Sequence, residues 1–352
     1  MSNTAKRVLC LTTAITLTAL APQSIAQDIG APELRIENFI GTIHWKNSEG
    51  PVKIIAEKKT RDVNFDTANS GLVINGNIDS IDGSECKSYH GSYDFDFFGS
   101  KKNKGTLGGY ENLEDFPMLE IALPANTQLI INNAVIYSQG APDIHSADLS
   151  LQYCGQIKLG DVSGDMVLEN RGSTDVVFGR AGRVEASLKG SGDIKGKDIG
   201  ALILRARGSG DVEFKQADDI DITTRGSGDV EIDTVQGSIL ASSSGSGDLD
   251  FDTVYGALDY STSGSGDLSI ENFKGGPSSY IKVESQGSGD VSIDGTEVRE
   301  IFVRASGSST VNIDVDTIDA DVKASGSTDV YLGDVSGVLI SKESGSADIH
   351  ID

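Results

Sequence analysis

Between Gly172 and Ile349 the chain returns ten times to variants of one five-residue phrase, Gly-Ser-small-Asp-aliphatic. The copies open at Gly172, Gly190, Gly208, Gly226, Gly245, Gly264, Gly287, Gly307, Gly326 and Gly345, at intervals of 18, 18, 18, 19, 19, 23, 20, 19 and 19 residues. So short and regular a period admits few folds. A unit of this size cannot bury a core alone, so successive units must stack as a solenoid.

One unit shows what kind. In Gly226-Ser227-Gly228-Asp229, followed by Val230 to Ser244, Val230 and Ile232 alternate with Glu231 and Asp233. That is strand periodicity with one face buried. Gln236-Gly237 makes a turn and Ser238 to Ser242 a second short strand. No stretch between phrases has helical period. The expectation is an all-β, single-stranded parallel β-helix of about 19 residues per turn, with the right-handed crossover usual for parallel strands. Aliphatic residues after each Asp (Val176, Ile194, Val212, Val230, Leu249, Leu268, Val291, Val311, Val330, Ile349) should form one interior column. Phe214, Ile232, Phe251, Ile270, Ile293, Ile313, Leu332 and Ile351 should form a second. Cys154-Gly155-Gln156-Ile157 reads as a degenerate opening turn.

Residues 1–26 read as a secretory signal peptide: Lys6 and Arg7, then apolar Val8 to Leu20, then Ser24-Ile25-Ala26 as a small-x-small cleavage site before Gln27. A membrane anchor is the alternative, but thirteen such residues are too few to span a bilayer. Residues 27–150 form a β-rich N-terminal region with strands expected near Leu34 to Trp45, Val52 to Glu57, Leu72 to Ile74, Met118 to Leu123 and Gln128 to Ile136. Within it, 76–116 reads as a long flexible loop rich in Gly, Ser and charge, with clustered aromatics such as Tyr93, Phe95 and Phe97, either disordered or a mobile aromatic contact surface. Residues 151–352 form the β-helix. Export leaves Cys86 and Cys154 in a compartment that permits disulfides, so they form either a bridge or two unpaired thiols.

Leu119-Glu120-Ile121-Ala122-Leu123-Pro124-Ala125-Asn126, running on to Ile131 and followed by the serial phrases, resembles the bacterial putative auto-transporter adhesin, head GIN domain family. Asn38-Phe39-Ile40-Gly41-Thr42-Ile43 fits the opening strands of that family as well. The resemblance covers most of the chain after residue 26 and implies an extracytoplasmic β-helix. It supplies no catalytic residues.

The net charge of −24, from 53 acidic and 29 basic residues, argues against nucleic acid, whose phosphates need cations. Cations, basic partners and neutral glycans fit better. Gly and Asp within the phrase have a structural use first: Gly permits positive φ at a corner, and Asp can bond turn amides. Charge is nevertheless uneven along the coil. The residue before each phrase reads Arg171, Lys189, Arg207, Arg225, then Ser or Gln. The position seven after each first Gly reads Gly179, Lys197, Lys215, then Asp233, Asp252, Glu271, Asp294 and Asp314. In the second half Asp248, Asp267 and Asp290 have no evident cationic partner. Carboxylates stacked at strand spacing repel by on the order of 1 kcal/mol per pair even in water. The candidate metal ligands are therefore Asp233, Asp248, Asp252, Asp267, Glu271, Asp290 and Asp294, with calcium, a hard oxygen-seeking cation, as their ion. A screened, solvated acidic face is the simpler alternative.

Catalytic signatures are absent. The four histidines, His44, His90, His145 and His350, have no zinc-ligand spacing, and no Gly-x-Ser-x-Gly elbow or phosphate loop occurs. The sequence points to a non-enzymatic exported scaffold of the envelope, cell surface or medium, with a surface protein or glycan as partner. Its alternative is a calcium-dependent, carbohydrate-active β-helix, a lyase or hydrolase, for which Arg207 and Arg225 beside Asp211 and Asp229 are the best place. The open strand Asp348 to Ile351 suggests self-association through the solenoid end.

Overall fold

The computed structural model describes residues 32–58, 61–68, 71–78, 106–107, 111–112 and 116–352. The expected signal peptide at 1–26, Cys86 and most of the expected 76–116 loop lie outside the described residues. What is described is an all-β parallel solenoid of about 12 turns with ~19 residues per turn. Parallel pairing joins each strand to its counterpart one turn on, as Leu202–Ala206 joins Ile220–Thr224 and then Ile239–Ser243.

Both expected interior columns form. Ile157, Val176, Ile194, Val212, Val230, Leu249 and Leu268 are consecutive partners, and the series continues through Val291, Val311 and Val330 to Ile349. The second column runs in register from Phe214 to Ile351. Its earlier end is less regular. Gly196 occupies the rung between Phe178 and Phe214, where a Cβ would overlap both rings. The two rings therefore meet across it, centroids 5.9 Å apart and tilted by 56°. A third column, on the strand after the turn, is the longest. It passes from Leu72 through Leu34, Leu129, Ala147, Met166, Val184, Leu202 and Ile220 to Leu339.

That third column crosses residue 150 without a break, so the parallel ladder starts well before the first phrase. Glu33–Asn47 pairs in parallel with Gly71–Asn75, Met118–Leu123 and Gln128–Gln139. At the periphery Lys53–Lys58 runs antiparallel to Met118–Leu123, and Asn64–Ala68 antiparallel to Gly71–Asn75. Lacking glycine phrases, these early turns bend differently. Asn38 and Asn133 take left-handed φ values of 50° and 49°, and the Asn133 amide donates to Asn38 Oδ1 at 2.6 Å. Asparagine is the residue besides glycine that tolerates this conformation. At the other end, the last turn leaves Val338, Leu339 and Ile340 exposed, and Tyr331 stacks on His350 at 4.8 Å.

Candidate functional site

The phrases line up along one corner of the coil, and their polar atoms are largely spent on one another. From the second copy on, each serine N–H donates to the first-glycine carbonyl of the previous turn: Ser191 to Gly172, Ser209 to Gly190 and Ser246 to Gly226 at 3.0 Å, with 3.3 Å at Ser308 and 2.8 Å at Ser346. The aspartates form a second ladder. Asp175 Oδ1 accepts from the Asp193 N–H at 3.1 Å, Asp193 from Asp211 at 2.9 Å, and Asp211 from Asp229 at 3.0 Å. The series continues through Asp248, Asp267 and Asp290. It ends where the eighth copy carries Thr310, whose N–H donates to Asp290 at 2.7 Å.

This geometry corrects the reason for the first glycine. Positive φ occurs at Gly307, Gly326 and Gly345 only among the ten opening glycines. In the seven earlier copies the requirement is proximity, because a Cβ on Gly190, Gly208 or Gly226 would overlap the carbonyl of the glycine beneath.

The ladder also bears on the acidic columns. Asp248, Asp267 and Asp290 each hold a backbone amide of the next turn. Hydrogen bonds to a charged group contribute about 1.5–3 kcal/mol, enough to offset the repulsion between neighbouring exposed carboxylates. In the outer column Asp233 pairs with Lys215 at 3.1 Å, while Asp252, Glu271 and Asp294 face solvent. Among the described residues no group of three or more His, Cys, Asp or Glu side chains is arranged to hold a metal ion. Among the described residues two carboxyls are pushed up. For Asp175 the main cause is burial, opposed by the Asp193 amide. For Asp250 it is partial desolvation, reinforced by Asp248, Asp229, Glu231 and Asp267.

The first half of the coil pairs its charges. Glu169 draws in both Lys189 at 2.9 Å and Arg171 at 2.7 Å, which holds its carboxyl below the ordinary range. Lys195 meets Glu213 at 2.6 Å, and Arg180 meets Asp161 at 2.6 Å. Arg207 and Arg225 are different. Both are exposed, and among the described residues neither guanidinium makes an ion pair or hydrogen bond, although their backbone N–H groups donate to Leu188 and Ala206 of the turn before. The expected pairing with Asp211 and Asp229 is not formed; one oxygen of each of those carboxylates serves the amide ladder.

Together with Lys189, the two arginines lie at one end of a shallow trough of ≈ 860 Å³ along the phrase corner. Everything else lining it is Gly or Ser, from Gly190 to Ser288. The sequence shows the basic column but not the trough, because serine recurs too often in this chain to mark a surface. Cys154 is buried and disulfide-bonded; Cys86, its suggested partner, is outside the described residues.

A parallel β-solenoid whose repeated polar phrase is used for stacking is, by class, a repeat scaffold. The family model described as putative auto-transporter adhesin, head GIN domain matches residues 135–235 and 233–334, more than half of the chain, and the protein belongs to that family. No curated protein and no solved structure matches the chain.

Proposed function

We propose that the protein is a non-enzymatic, exported β-solenoid of the cell envelope or surface, working as an adhesin-like binding and structural scaffold. The observation that carries this reading is the amide ladder from Asp175 to Thr310. It commits the most repeated ionisable group of the chain to holding turns together, so repetition here supports length and rigidity. Membership of a family described as an adhesin head supports the surface location, as does the leader-like N-terminus. The partner is a surface protein or glycan.

The test follows the protein in its producing cells. Fractionation with protease shaving of intact cells should find it outside the cytoplasm, and its deletion should reduce attachment to a glycan- or protein-coated surface. Incubation with a polysaccharide panel, with and without EDTA, should release no fragments. Cytoplasmic retention would overturn the surface reading, and calcium-dependent cleavage would replace the scaffold with a lyase or hydrolase.

A further inference from the structure

We infer that the trough along the phrase corner is a binding site for an extended, unbranched acidic polysaccharide, docked with its carboxylates on Arg207, Arg225 and Lys189. The inference rests on the scaffold reading and gives it a ligand class.

Three features of the trough select this chemistry. The first is charge. In a molecule of net charge −24, two exposed arginines without an internal partner stand one turn apart at one end of a concave surface. Guanidinium groups are planar forks that match carboxylates, and a stacked pair presents two of them at strand spacing, about 4.8 Å. Lys189 extends the row by one turn, although it shares Glu169.

The second feature is shape. The lining spans six phrases, from Gly190 to Ser288, on the order of 25 Å at that spacing. A straight wall with one repeat per turn suits a straight polymer with one repeat per sugar. The third is the wall itself. Ser209, Ser227 and Ser246 offer hydroxyls that both donate and accept, as sugar hydroxyls do. No aromatic or aliphatic side chain lines the trough. Nucleic-acid bases would find no stacking platform, and a peptide would find no pocket for an apolar anchor.

The site also has a direction. Beyond Arg225 the same column reads Ser244, Ser263 and Gln286, and the neighbouring outer column turns acidic from Asp233. A polyanion is therefore held at the end nearer Lys189 and tolerated, through hydroxyl contacts, further along.

Polygalacturonate and its fully methyl-esterified form share a backbone and differ in charge, which makes them the probes. Binding of the purified protein to each, at physiological ionic strength, should favour the acidic form by roughly tenfold or more. Arg207→Gln with Arg225→Gln should remove that preference, and Ser246→Glu should weaken binding of the acidic chain. The variant Lys323→Gln with Lys342→Gln takes away the same charge elsewhere on the coil and should bind as the parent does. All these side chains are exposed, so melting temperatures should stay together and report that each variant is folded. Equal binding of both polymers, or equal loss in the two double variants, would overturn the inference. Surface attachment that survives Arg207→Gln with Arg225→Gln would overturn it too, while leaving the scaffold reading in place.

Discussion

The turns opened by Gly190 to Gly287 and those opened by Gly307 to Gly345 begin with the same Gly-Ser, yet they turn the corner differently. In the earlier set the first glycine has ordinary φ and lies against the glycine of the previous turn, and the Asp ladder runs alongside. In the later set it is left-handed, at 126°, 88° and 82°, and strands run long up to it, as in Val291–Gly307 and Thr310–Gly326. The third residue changes in step: a glycine through Gly289, then Ser309, Thr328 and Ala347. At the third position a Cβ on Gly210 or Gly228 would strike the carbonyl beneath, whereas the later turns accommodate one there; at the first position a Cβ is crowded in both sets, less so at Gly326 and Gly345 than at Gly226. A phrase of this kind is defined by what it stacks on. The early turns make the same point with asparagine at Asn38 and Asn133.

This contrast can be broken by mutation. The largest effect is expected from Gly226→Ala, which drives a Cβ into the Gly208 carbonyl and should cost about 3 kcal/mol or more by urea unfolding. Gly326→Asn should cost less, roughly 2 kcal/mol, since asparagine accepts left-handed φ and its Cβ would meet the Gly307 carbonyl at 2.7 Å, a milder overlap than the one at Gly226. Equal losses at the two sites would mean that the two corners are held by the same constraint. Next comes the ladder. Asp229→Ala leaves the Asp248 N–H without its acceptor and should cost about 1–2 kcal/mol, while Asp229→Asn, which keeps an oxygen, should cost little. Asp329→Ala, beyond the end of the ladder, should stay within about 0.5 kcal/mol.

A smaller effect belongs to pH. Asp250 has a raised folded pKa, so its penalty is absent below the ordinary aspartate value of 3.8 and complete once pH exceeds the raised value. Stability from this group therefore falls as pH rises through that window, and Asp250→Asn should flatten the fall in thermal melts. The smallest effect is expected from calcium. With amides on Asp248, Asp267 and Asp290, a titration against Mg²⁺ and EDTA should show no Ca²⁺-selective rise in melting temperature. A saturable rise, blunted by Asp252→Asn or Asp267→Asn, would place metal on the acidic columns after all.

Much of this fold is legible in the sequence, for a physical reason. The phrase fixes register, and period-two alternation after each Asp then decides which residues point inward, so both columns can be written down in advance. The coil before residue 150 is harder to see. Its corners are single asparagines, indistinguishable in a lone sequence from any surface Asn. The role of the first glycine misleads because tight packing and positive φ leave the same residue. The unpaired state of Arg207 and Arg225 is not readable either. It depends on where two exposed side chains come to rest on the folded surface, which residue types and spacing do not specify.

Register columns in which each turn answers only to its neighbours have a consequence for how such a molecule changes size. Gly190 and Gly226 present the same corner to whatever follows, and Ile194, Val212 and Val230 are interchangeable rungs. Excising Gly208 to Arg225, one 18-residue unit, would join Arg207 to Gly226 and let the coil close over the gap. Inserting a copy of that unit would lengthen it by one rung. Reach is thus a heritable dimension of the protein that unequal recombination can adjust in whole steps, without renegotiating the rest of the structure.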